Sequence, residues 1–579
     1  MSIEQPITTS VATLTADGVA ARNERARAHA LQHTVKTDNL IPATVSYQSQ
    51  GRLLLVGPED SIRRAASLLP DGVTPILLVT EAVHDAEAAD LEAIFEATAA
   101  LDALTLREPS LSGYLGQFQL TGLNGQGERI SLAELCFPVQ VAGSHASFDL
   151  VADLGRAPLF ALERPPVGYL HLFDDAALAE RLAGQLAELC ALTGIFDKPR
   201  YFRLDPEACA FTARGVPGCS RCLDVCPTDA LKPINGRIQI DPHLCQGFGS
   251  CASACPTGAI AYHQPDANTS GDYLFRLLKH YREAGGDAPQ LLIAGENERE
   301  WVEVELTRLP ANWLPVWVEE SASLGVDSWL AALAYDASAV RIALGNDAPA
   351  SVRALVEREL ASAAVLLAGA GLAADRIALF NPDAEQDKPI FGQPAVVLLE
   401  KPLKGEKREN LFAAFDALWQ ANNGGREPLA VPHGAPYGSV ELKEADCTLC
   451  MGCVAVCPSR ALHAVGHTPG LNFIEQECIQ CGMCEKACPE QAIVLTPRLQ
   501  PVPEARRAVQ SLKAEEAACC IRCAKPFAPA SLIRRIQQKL AGHSHFQNEA
   551  AQRLLMCEDC RVKDVFAALA ADPVSQLKV

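Results

Sequence analysis

The sequence lacks an excess of basic residues: 50 Lys and Arg stand against 70 Asp and Glu, which gives the 579 residues a formal net charge of −20. A nucleic-acid-binding protein normally has a basic surface, so we expect no nucleic-acid partner. The longest uncharged apolar stretch, Leu360 to Ala374, is shorter than the roughly 20 residues that cross a bilayer, so we expect no membrane span. The N-terminus has no basic segment before an apolar run, which predicts no secretory signal and a cytoplasmic protein.

The sequence also lacks the motifs of common enzyme sites. It contains no Gly-x-Gly-x-x-Gly, no phosphate-binding loop, no Gly-x-Ser-x-Gly and no His-Glu-x-x-His. We therefore predict no catalytic residues. An electron carrier or a redox subunit is favoured over a stand-alone enzyme.

Cysteine, in contrast, is abundant, and its 22 residues are strongly clustered. Cys136 and Cys190 stand alone in apolar contexts, which predicts small, buried side chains. The other cysteines fall into three groups, within 209–255, 447–488 and 519–560. In a reducing compartment such clusters more often bind metal than form disulfides.

The group at 447–488 consists of two runs with the same spacing, Cys-x2-Cys-x2-Cys-x3-Cys-Pro. The runs are Cys447, Cys450, Cys453 and Cys457, then Cys478, Cys481, Cys484 and Cys488. This spacing resembles that of eight-iron bacterial ferredoxins, in which three thiolates of one run and the fourth of the other hold each [4Fe–4S] cluster. The resemblance implies that one cluster is held by Cys447, Cys450, Cys453 and Cys488. It implies that the second is held by Cys478, Cys481, Cys484 and Cys457.

The group at 209–255 resembles the same arrangement with two departures. Nine residues separate Cys209 from Cys219, and Phe248 occupies the second ligand position of the later run. By analogy a third [4Fe–4S] cluster takes Cys209, Cys219, Cys222 and Cys255. The other site has only Cys226, Cys245 and Cys251. Its alternatives are a [3Fe–4S] cluster, a [4Fe–4S] cluster with one non-cysteine ligand, or an empty site.

The group at 519–560 contains two Cys-x2-Cys pairs separated by a predicted helix over Ala530 to Leu540. The pairs are Cys520 with Cys523, and Cys557 with Cys560. Two such pairs indicate a closed tetrahedral zinc site, with a rubredoxin-like iron site or a further iron–sulfur cluster as alternatives. Cys519 is a spare thiol, and His543 and His545 are interpreted as solvated loop residues rather than ligands.

Strand and helix patterns alternate between the two large cysteine groups, which indicates a doubly wound parallel α/β domain. The predicted strands are Gln290–Ala294, Leu314–Val318, Val340–Leu344, Arg376–Leu379 and Ala395–Leu399. The predicted helices are Tyr273–Ala284, Asp327–Ala334, Ser351–Ala370 and Asn410–Ala421. Another βαβ unit is predicted to begin with a strand at Arg52–Val56.

The predicted fold class is a multidomain α/β protein with two ferredoxin-like (α+β) dicluster modules. The predicted segments are a leader (1–50), an N-terminal α/β domain (51–200), ferredoxin-like module 1 (201–264), a cysteine-free α/β domain (265–440), eight-iron ferredoxin module 2 (441–496) and a helical C-terminal metal-binding module (497–579).

The whole layout resembles that of bacterial 4Fe–4S polyferredoxin-type proteins, including iron–sulfur proteins associated with formate dehydrogenases. The residues that carry the resemblance are Gly218-Cys219-Ser-Arg-Cys222-Leu-Asp-Val-Cys226-Pro227, Cys255-Pro256-Thr257-Gly258-Ala259-Ile260 and the eight-cysteine group. The resemblance implies electron transfer through several clusters between a redox enzyme, such as formate dehydrogenase, and a partner.

Two points remain open at the level of sequence. The alternative function is that of a non-catalytic accessory or maturation protein for a metalloenzyme, with structural or sensory clusters. The middle domain is also similar to small electron-transfer subunits of heterodisulfide reductase systems. Those subunits carry cysteines for a [2Fe–2S] cluster, whereas residues 256–446 contain no cysteine.

Overall fold

The computed structural model describes residues 10–36, 43–81, 94, 96–101, 103–137, 146–172, 178–385, 398–466, 468–543, 546 and 549–571. Within these ranges the chain has a mixed α/β architecture, with several small sheets arranged along the sequence. None of the helices in these ranges is long and apolar enough to cross a membrane.

A five-stranded parallel sheet forms the centre of the N-terminal part. Its strands, in spatial order, are Ala103–Thr105, Ile76–Glu81, Leu53–Pro58, Leu150–Asp153 and Tyr169–His171. The strand at Leu53 is fully apolar in its first four residues, and all four are buried, as a strand covered on both faces requires. The helix Glu59–Ser67 connects it to the next parallel strand, which agrees with the predicted βαβ unit.

Smaller elements surround this parallel sheet. The antiparallel strands Arg107–Ser112, Gln119–Leu123 and Arg129–Ser131 form a second sheet. The helices here are Leu132–Cys136 and Leu178–Cys190. A two-stranded ribbon of Thr44–Ser49 and Gly194–Pro199 leads towards the first large cysteine group.

A four-stranded parallel sheet forms the centre of the cysteine-free domain. Its spatial order is Trp313–Val318, Gln290–Gly295, Ala339–Ile342 and Ile377–Leu379. Its helices are Ala267–Glu283, Arg299–Leu306, Val326–Ala334, Ala350–Gly369, Pro382–Glu385 and Lys407–Ala421. Of the further strand predicted at Ala395–Leu399, residues 395–397 lie outside the described residues, and Leu398 and Leu399 are not in a strand.

The helix Ser10–His33 belongs to this middle domain. Its Ala26 and Ala30 are completely buried in the same core as Leu277 of the helix Ala267–Glu283. Alanine lets two helices approach closely, so a narrow stripe of small side chains suffices for the contact. The sequence predicts a leader over residues 1–50; in the structure this part of it packs against the middle domain.

The two large cysteine groups fold alike, since in each the first and last strands pair antiparallel. In the first group Phe202–Leu204 pairs with Ile260–Tyr262, and in the second Gly438–Leu442 pairs with Ile493–Leu499. This pairing brings the ends of each segment together and folds its two cysteine runs against one another.

Hairpins and short helices complete these two regions. The first contains the hairpins Thr212–Ala213 with Val216–Pro217 and Leu231–Ile234 with Arg237–Ile240, and the helix Ser250–Ala254. The second contains the strands Leu429–Ala430, Leu462–Ala464, Gly470–Ile474 and Val509–Ala514, and the helices Gly452–Val456, Met483–Ala487 and Pro503–Arg507.

The C-terminal region combines a hairpin with three helices. The hairpin pairs Ala517–Cys519 with Pro526–Pro529, and the helices are Ala530–Leu540, Glu549–Gln552 and Glu558–Ala571. The helix at Ala530 has the predicted bounds. The hairpin adds a β element to a region predicted as helical.

Candidate iron–sulfur and metal centres

The cysteine runs share a local backbone design that follows from their sequence. A residue in the left-handed region precedes a single helical turn, and this residue is Gly249, Met451 or Gly482. Each turn carries the third cysteine of the usual run and ends at the cysteine that precedes proline. A residue before proline is excluded from the α region by the proline ring. The last cysteine is therefore extended and leaves its own loop.

The first half of each run in the second group is shaped by another left-handed residue. Leu449 and Gln480 have φ angles of 51° and 54°. These conformations cost energy for residues with a Cβ atom. The backbone N–H of Leu449 donates to Cys447 Sγ at 3.4 Å. The strained left-handed backbone in these loops therefore occurs together with backbone N–H groups that point at cysteine sulfur atoms.

The structure brings Cys447, Cys450, Cys453 and Cys488 together around one small cavity. Burial, together with the neighbouring thiols of Cys450, Cys447 and Cys488, raises the pKa of the Cys453 thiol to about 12. Four thiols crowded in this way repel one another as thiolates. A cationic metal centre would relieve that repulsion. Cys450 is the exposed member of the set.

A second small cavity is lined by Cys457, Cys478, Cys481 and Cys484. Burial raises the pKa of the Cys478 thiol to about 11, while the amide donors of Gln480 and the Arg408 guanidinium oppose the shift. The Gln480 side chain donates to Cys478 Sγ at 3.3 Å. Both sets contain the fourth cysteine of the opposite run, as the ferredoxin resemblance implies.

In the first group the structure brings Cys209, Cys219, Cys222 and Cys255 together. Burial, together with the thiols of Cys255, Cys219 and Cys209, raises the pKa of the Cys222 thiol to about 12. Nine intervening residues thus do not separate Cys209 from the set. They include a hairpin at Thr212–Pro217, which reverses the chain direction and brings Cys219 back beside Cys209.

The remaining cysteines of this group, Cys226, Cys245 and Cys251, form a set of three. Burial raises the pKa of Cys251 well above its ordinary value, and the thiols of Cys245 and Cys226 add to the shift. Phe248, which stands where a fourth ligand would be expected, packs against the core of the middle domain. It therefore fixes the cluster loop to the neighbouring domain.

The two large cysteine groups are packed directly against each other. Met483 is fully buried in an apolar contact with Ala210, Val456 and Ile479. A Cβ atom on Gly218 would lie 2.2 Å from the Met483 side chain and 2.6 Å from the Ala210 carbonyl oxygen. Glycine at 218 thus permits the close approach.

This contact joins a cysteine set of one group to a set of the other. Burial raises the pKa of the Cys481 thiol, and the thiols of Cys457 and, across the interface, Cys219 add to the shift. Lys486 also crosses the interface and donates to the Pro217 carbonyl oxygen at 3.0 Å. The four sets therefore follow one another in space.

The C-terminal cysteines form a compact set of their own. The sulfur atoms of Cys520, Cys523, Cys557 and Cys560 all lie within 4.8 Å of one another. Cys523 and Cys557 are 3.6 Å apart, close to the edge of about 3.8 Å that four 2.3 Å zinc–sulfur bonds would give. Although burial opposes it, backbone donors of Cys557, Cys523 and Arg522 lower the pKa of Cys520 to about 6.

Other predicted residues lie apart from this set. Cys519 is exposed at the end of its strand. The His543 ring makes an edge-on contact with the Phe546 ring, with centroids 5.7 Å apart, and His545 lies outside the described residues. Cys136 and Cys190 are half-buried and pack against the two cores of the N-terminal part.

Sequence reasoning missed the cations that surround the cysteine loops. Each donates hydrogen bonds to the backbone carbonyl oxygen of a cysteine: Lys198 to that of Cys245, Arg408 to that of Cys478, and Lys513 to that of Cys447. Their partners are up to 70 residues away along the chain. No local spacing could have indicated these contacts.

Comparison with known proteins identifies the two large cysteine groups. Models of the 4Fe–4S dicluster domain match residues 217–259 and residues 439–489. Cys209 lies before the first match, although it lies beside Cys219, Cys222 and Cys255 in the structure.

Two relatives share parts of this sequence. Hydrogenase-4 component A of Escherichia coli (strain K12) is 35% identical over 69 residues, which are 12% of this chain and 34% of that protein. Ferredoxin 7Fe of Hydrogenibacillus schlegelii is 40% identical over 43 residues, which are 7% of this chain and 54% of that protein. The chain thus spans about a third of one relative and about half of the other. The chain thus contains two 4Fe–4S dicluster domains of the ferredoxin type.

Proposed function

We propose that this protein transfers electrons through clusters held in both dicluster domains, between a redox enzyme and a partner. Clusters of this type take up and release single electrons. The observation that carries the proposal is the direct contact between the domains at Gly218 and Met483. It places the cysteine set that contains Cys219 beside the set that contains Cys481. A chain that only needed separate structural clusters would not require this apposition.

We propose that three of the sets each hold a [4Fe–4S] cluster. The first is Cys209, Cys219, Cys222 and Cys255, the second Cys447, Cys450, Cys453 and Cys488, and the third Cys457, Cys478, Cys481 and Cys484. We assign a [3Fe–4S] cluster to the three-thiol set of Cys226, Cys245 and Cys251. A relative whose name specifies seven irons supports a mixed complement, because three and four irons add to seven.

We further propose that Cys520, Cys523, Cys557 and Cys560 hold a structural zinc ion. Closed four-thiolate sites are typical of structural zinc. The C-terminal core consists of little besides these cysteines, with Met556 and the half-buried Phe527. A metal would supply folding free energy that so small a core lacks.

The partner is the least constrained part of the proposal. We propose a redox enzyme, with formate dehydrogenase as the candidate from the sequence resemblance. The name of one relative, a hydrogenase component, also associates this type of domain with a redox complex. We place the protein in the cytoplasm because its free thiols require a reducing compartment.

The domain boundaries predicted from the sequence are retained as part of the proposal, except that the helix Ser10–His33 joins the middle domain. We infer that this domain is doubly wound. Its strand at Gln290 lies between Trp313–Val318 on one side and Ala339–Ile342 on the other. The chain therefore extends the sheet in both directions from its first strand.

The proposal is tested by following electrons across the domain interface. The full chain is reduced with less than one electron per cluster, and rapid-freeze EPR records how the electrons distribute between the domains. We expect equilibration in the native chain and several-fold slower equilibration in Gly218→Ala, because the added Cβ atom separates the domains. Gly271→Ala is the matched control, since nothing lies within 4 Å of its Cβ position.

The accessory or maturation function predicts a different outcome. Clusters with a structural or sensory role in such a protein need not exchange electrons. If electrons in the native chain remain in the domain that first receives them, the electron-transfer proposal is wrong and the accessory function is favoured.

A further inference from the structure

Three cations bind the dicluster domains in the same way. Each donates hydrogen bonds to the carbonyl oxygen of the first cysteine of a run and to a carbonyl two or three residues earlier. Lys198 Nζ donates to Cys245 at 2.6 Å and to His243 at 2.9 Å. The repeated geometry suggests a shared role.

The other two contacts repeat this arrangement at the second dicluster domain. The Arg408 guanidinium donates to the carbonyl oxygens of Cys478 at 2.7 Å and Gln476 at 2.6 Å. Lys513 Nζ donates to those of Glu444, at 2.8 Å, and Cys447. Three of the four cysteine sets thus receive one cation each.

None of these cations forms an ion pair with a carboxylate within the described part of the chain. Other partly buried cations do, as Arg506 with Asp416 and Arg498 with Glu475 show. Carbonyl oxygens offer dipoles but no net charge. The carboxylates of Asp241 and Glu477 act on Lys198 and Arg408 through space, without ion-pair contact. A half-buried cation with no carboxylate in contact is stabilised by a further negative group nearby.

An iron–sulfur cluster with thiolate ligands would be that negative group. The thiolates and sulfides outweigh the charge of the irons, so the whole unit is an anion. One-electron reduction adds a further negative charge to it. A cation fixed beside the ligand loop therefore stabilises the reduced form more than the oxidised form.

We propose that Lys198, Arg408 and Lys513 supply the counter-charge for three cysteine sets and raise the reduction potential of the cluster that each set holds. They act as positioning residues, since they contact the ligand loops and not the thiols. The inference rests on the proposed binding of clusters for electron transfer.

The origin of these cations gives the inference a consequence for the whole chain. Lys198 belongs to the ribbon of Thr44–Ser49 and Gly194–Pro199, and Arg408 to the first turn of a middle-domain helix. Lys513 belongs to the strand Val509–Ala514, which follows the second dicluster domain. Docking of these elements would thus set the potentials within the dicluster domains.

The test compares Lys513→Gln with Lys513→Arg in the full chain by EPR-monitored redox titration, after iron analysis of each variant. We expect Lys513→Gln to move the midpoint of one cluster to more negative potential, with the others unchanged. Lys513→Arg should retain the native value, because it keeps the charge. Lys539→Gln is a matched control near the same cluster, since its charge is already paired with Glu490 at 2.9 Å.

The outcomes separate this inference from the proposed function. Full iron content with no shift of the midpoint in Lys513→Gln, or an equal shift in Lys539→Gln, would overturn the inference and leave electron transfer intact.

If Lys513→Gln loses iron, the same titration is carried out on Lys198→Gln and Lys198→Arg. The midpoint potential of the cluster held by the three-thiol set then decides. If both glutamine variants lose iron and neither arginine variant does, the result supports the inference that the cluster requires a counter-charge. If all four variants lose iron, the result overturns the inference. Absence of iron from the native chain would instead contradict the proposed function.

Discussion

At the scale of single residues, several buried cysteines of the dicluster domains are thiols in the metal-free chain. Burial raises the pKa of Cys453 to about 12 and that of Cys478 to about 11, so both are protonated at neutral pH in the metal-free chain. Iron binds thiolate and not thiol. Assembly of a cluster must therefore displace protons.

This proton release predicts a pH dependence with a definite sign. Incorporation of iron and sulfide into the metal-free chain should increase from about pH 6 to about pH 9, since fewer protons compete at higher pH. The measurement is iron bound per chain after anaerobic reconstitution at each pH. An iron content that does not change with pH would show that the thiols are already ionised.

A second residue-scale prediction concerns Phe248. Replacing Phe248 with Cys should add a fourth ligand to the set of Cys226, Cys245 and Cys251. We expect one more iron per chain and loss of the EPR signal of an oxidised [3Fe–4S] cluster. The loss of the half-buried ring should also lower the stability by about 2 kcal/mol.

The empty-site alternative gives a different result for the same variant. If the native protein shows no such signal and Phe248→Cys adds roughly four irons, the site was vacant. The [3Fe–4S] assignment would then be contradicted.

At the scale of elements, the helical turns before Cys457 and Cys488 determine which cysteines lie together. The proline makes Cys457 and Cys488 extended, so each points away from its own loop and joins the other set. One run therefore contributes cysteines to both sets. A substitution in one run should therefore affect both cysteine sets.

This crossed arrangement predicts the effect of Cys453→Ser. One cluster should be lost, which removes about four irons, and the neighbouring cluster should become less stable, because Cys457 directly follows the helical turn that carries Cys453. Iron and sulfide analysis measures the loss, and the rate of bleaching in air measures the neighbour's stability. Unchanged iron content would contradict the ligand assignment.

The C-terminal elements have little packing to stabilise them. The helix Glu558–Ala571 has no buried residue, and the helix Ala530–Leu540 buries only Ile533. Replacing Cys523 with Ser should therefore remove about one zinc per chain and unfold residues beyond about 515, while iron remains. Proteolysis and elemental analysis measure both effects, and Cys519→Ser is the matched control. Extra iron in place of zinc would show that the site was misread.

The sequence was most informative for these elements where the signal is local. The middle-domain strands at Gln290, Leu314 and Val340 were predicted within one or two residues, because each is a short apolar run. The grouping of the cysteines was also predictable, because their spacing encodes it. Docking of the helix Ser10–His33 was not, since its described buried side chains are the small Asn23, Ala26 and Ala30 and its partners lie more than 200 residues away.

At the scale of the whole molecule, the domains around the cysteine groups serve to hold them in place. Phe248 and Lys407 attach the first dicluster domain to the middle domain, Lys407 through the carbonyl oxygens of Ala252 and Ser253. Gly218 and Met483 join the two dicluster domains. Long-range contacts of this kind leave no spacing pattern, so the order of the four sets in space could not be predicted from sequence.

The most direct test of the account is the metal content of the full chain purified without oxygen. Three four-iron clusters and one three-iron cluster predict about 15 iron atoms and about 16 sulfides per chain, with about one zinc. EPR of the same sample should show an oxidised [3Fe–4S] signal that is lost on reduction. Zinc in the dicluster domains, or no more than about eight irons per chain after reconstitution, would contradict the claim that both domains hold iron–sulfur clusters.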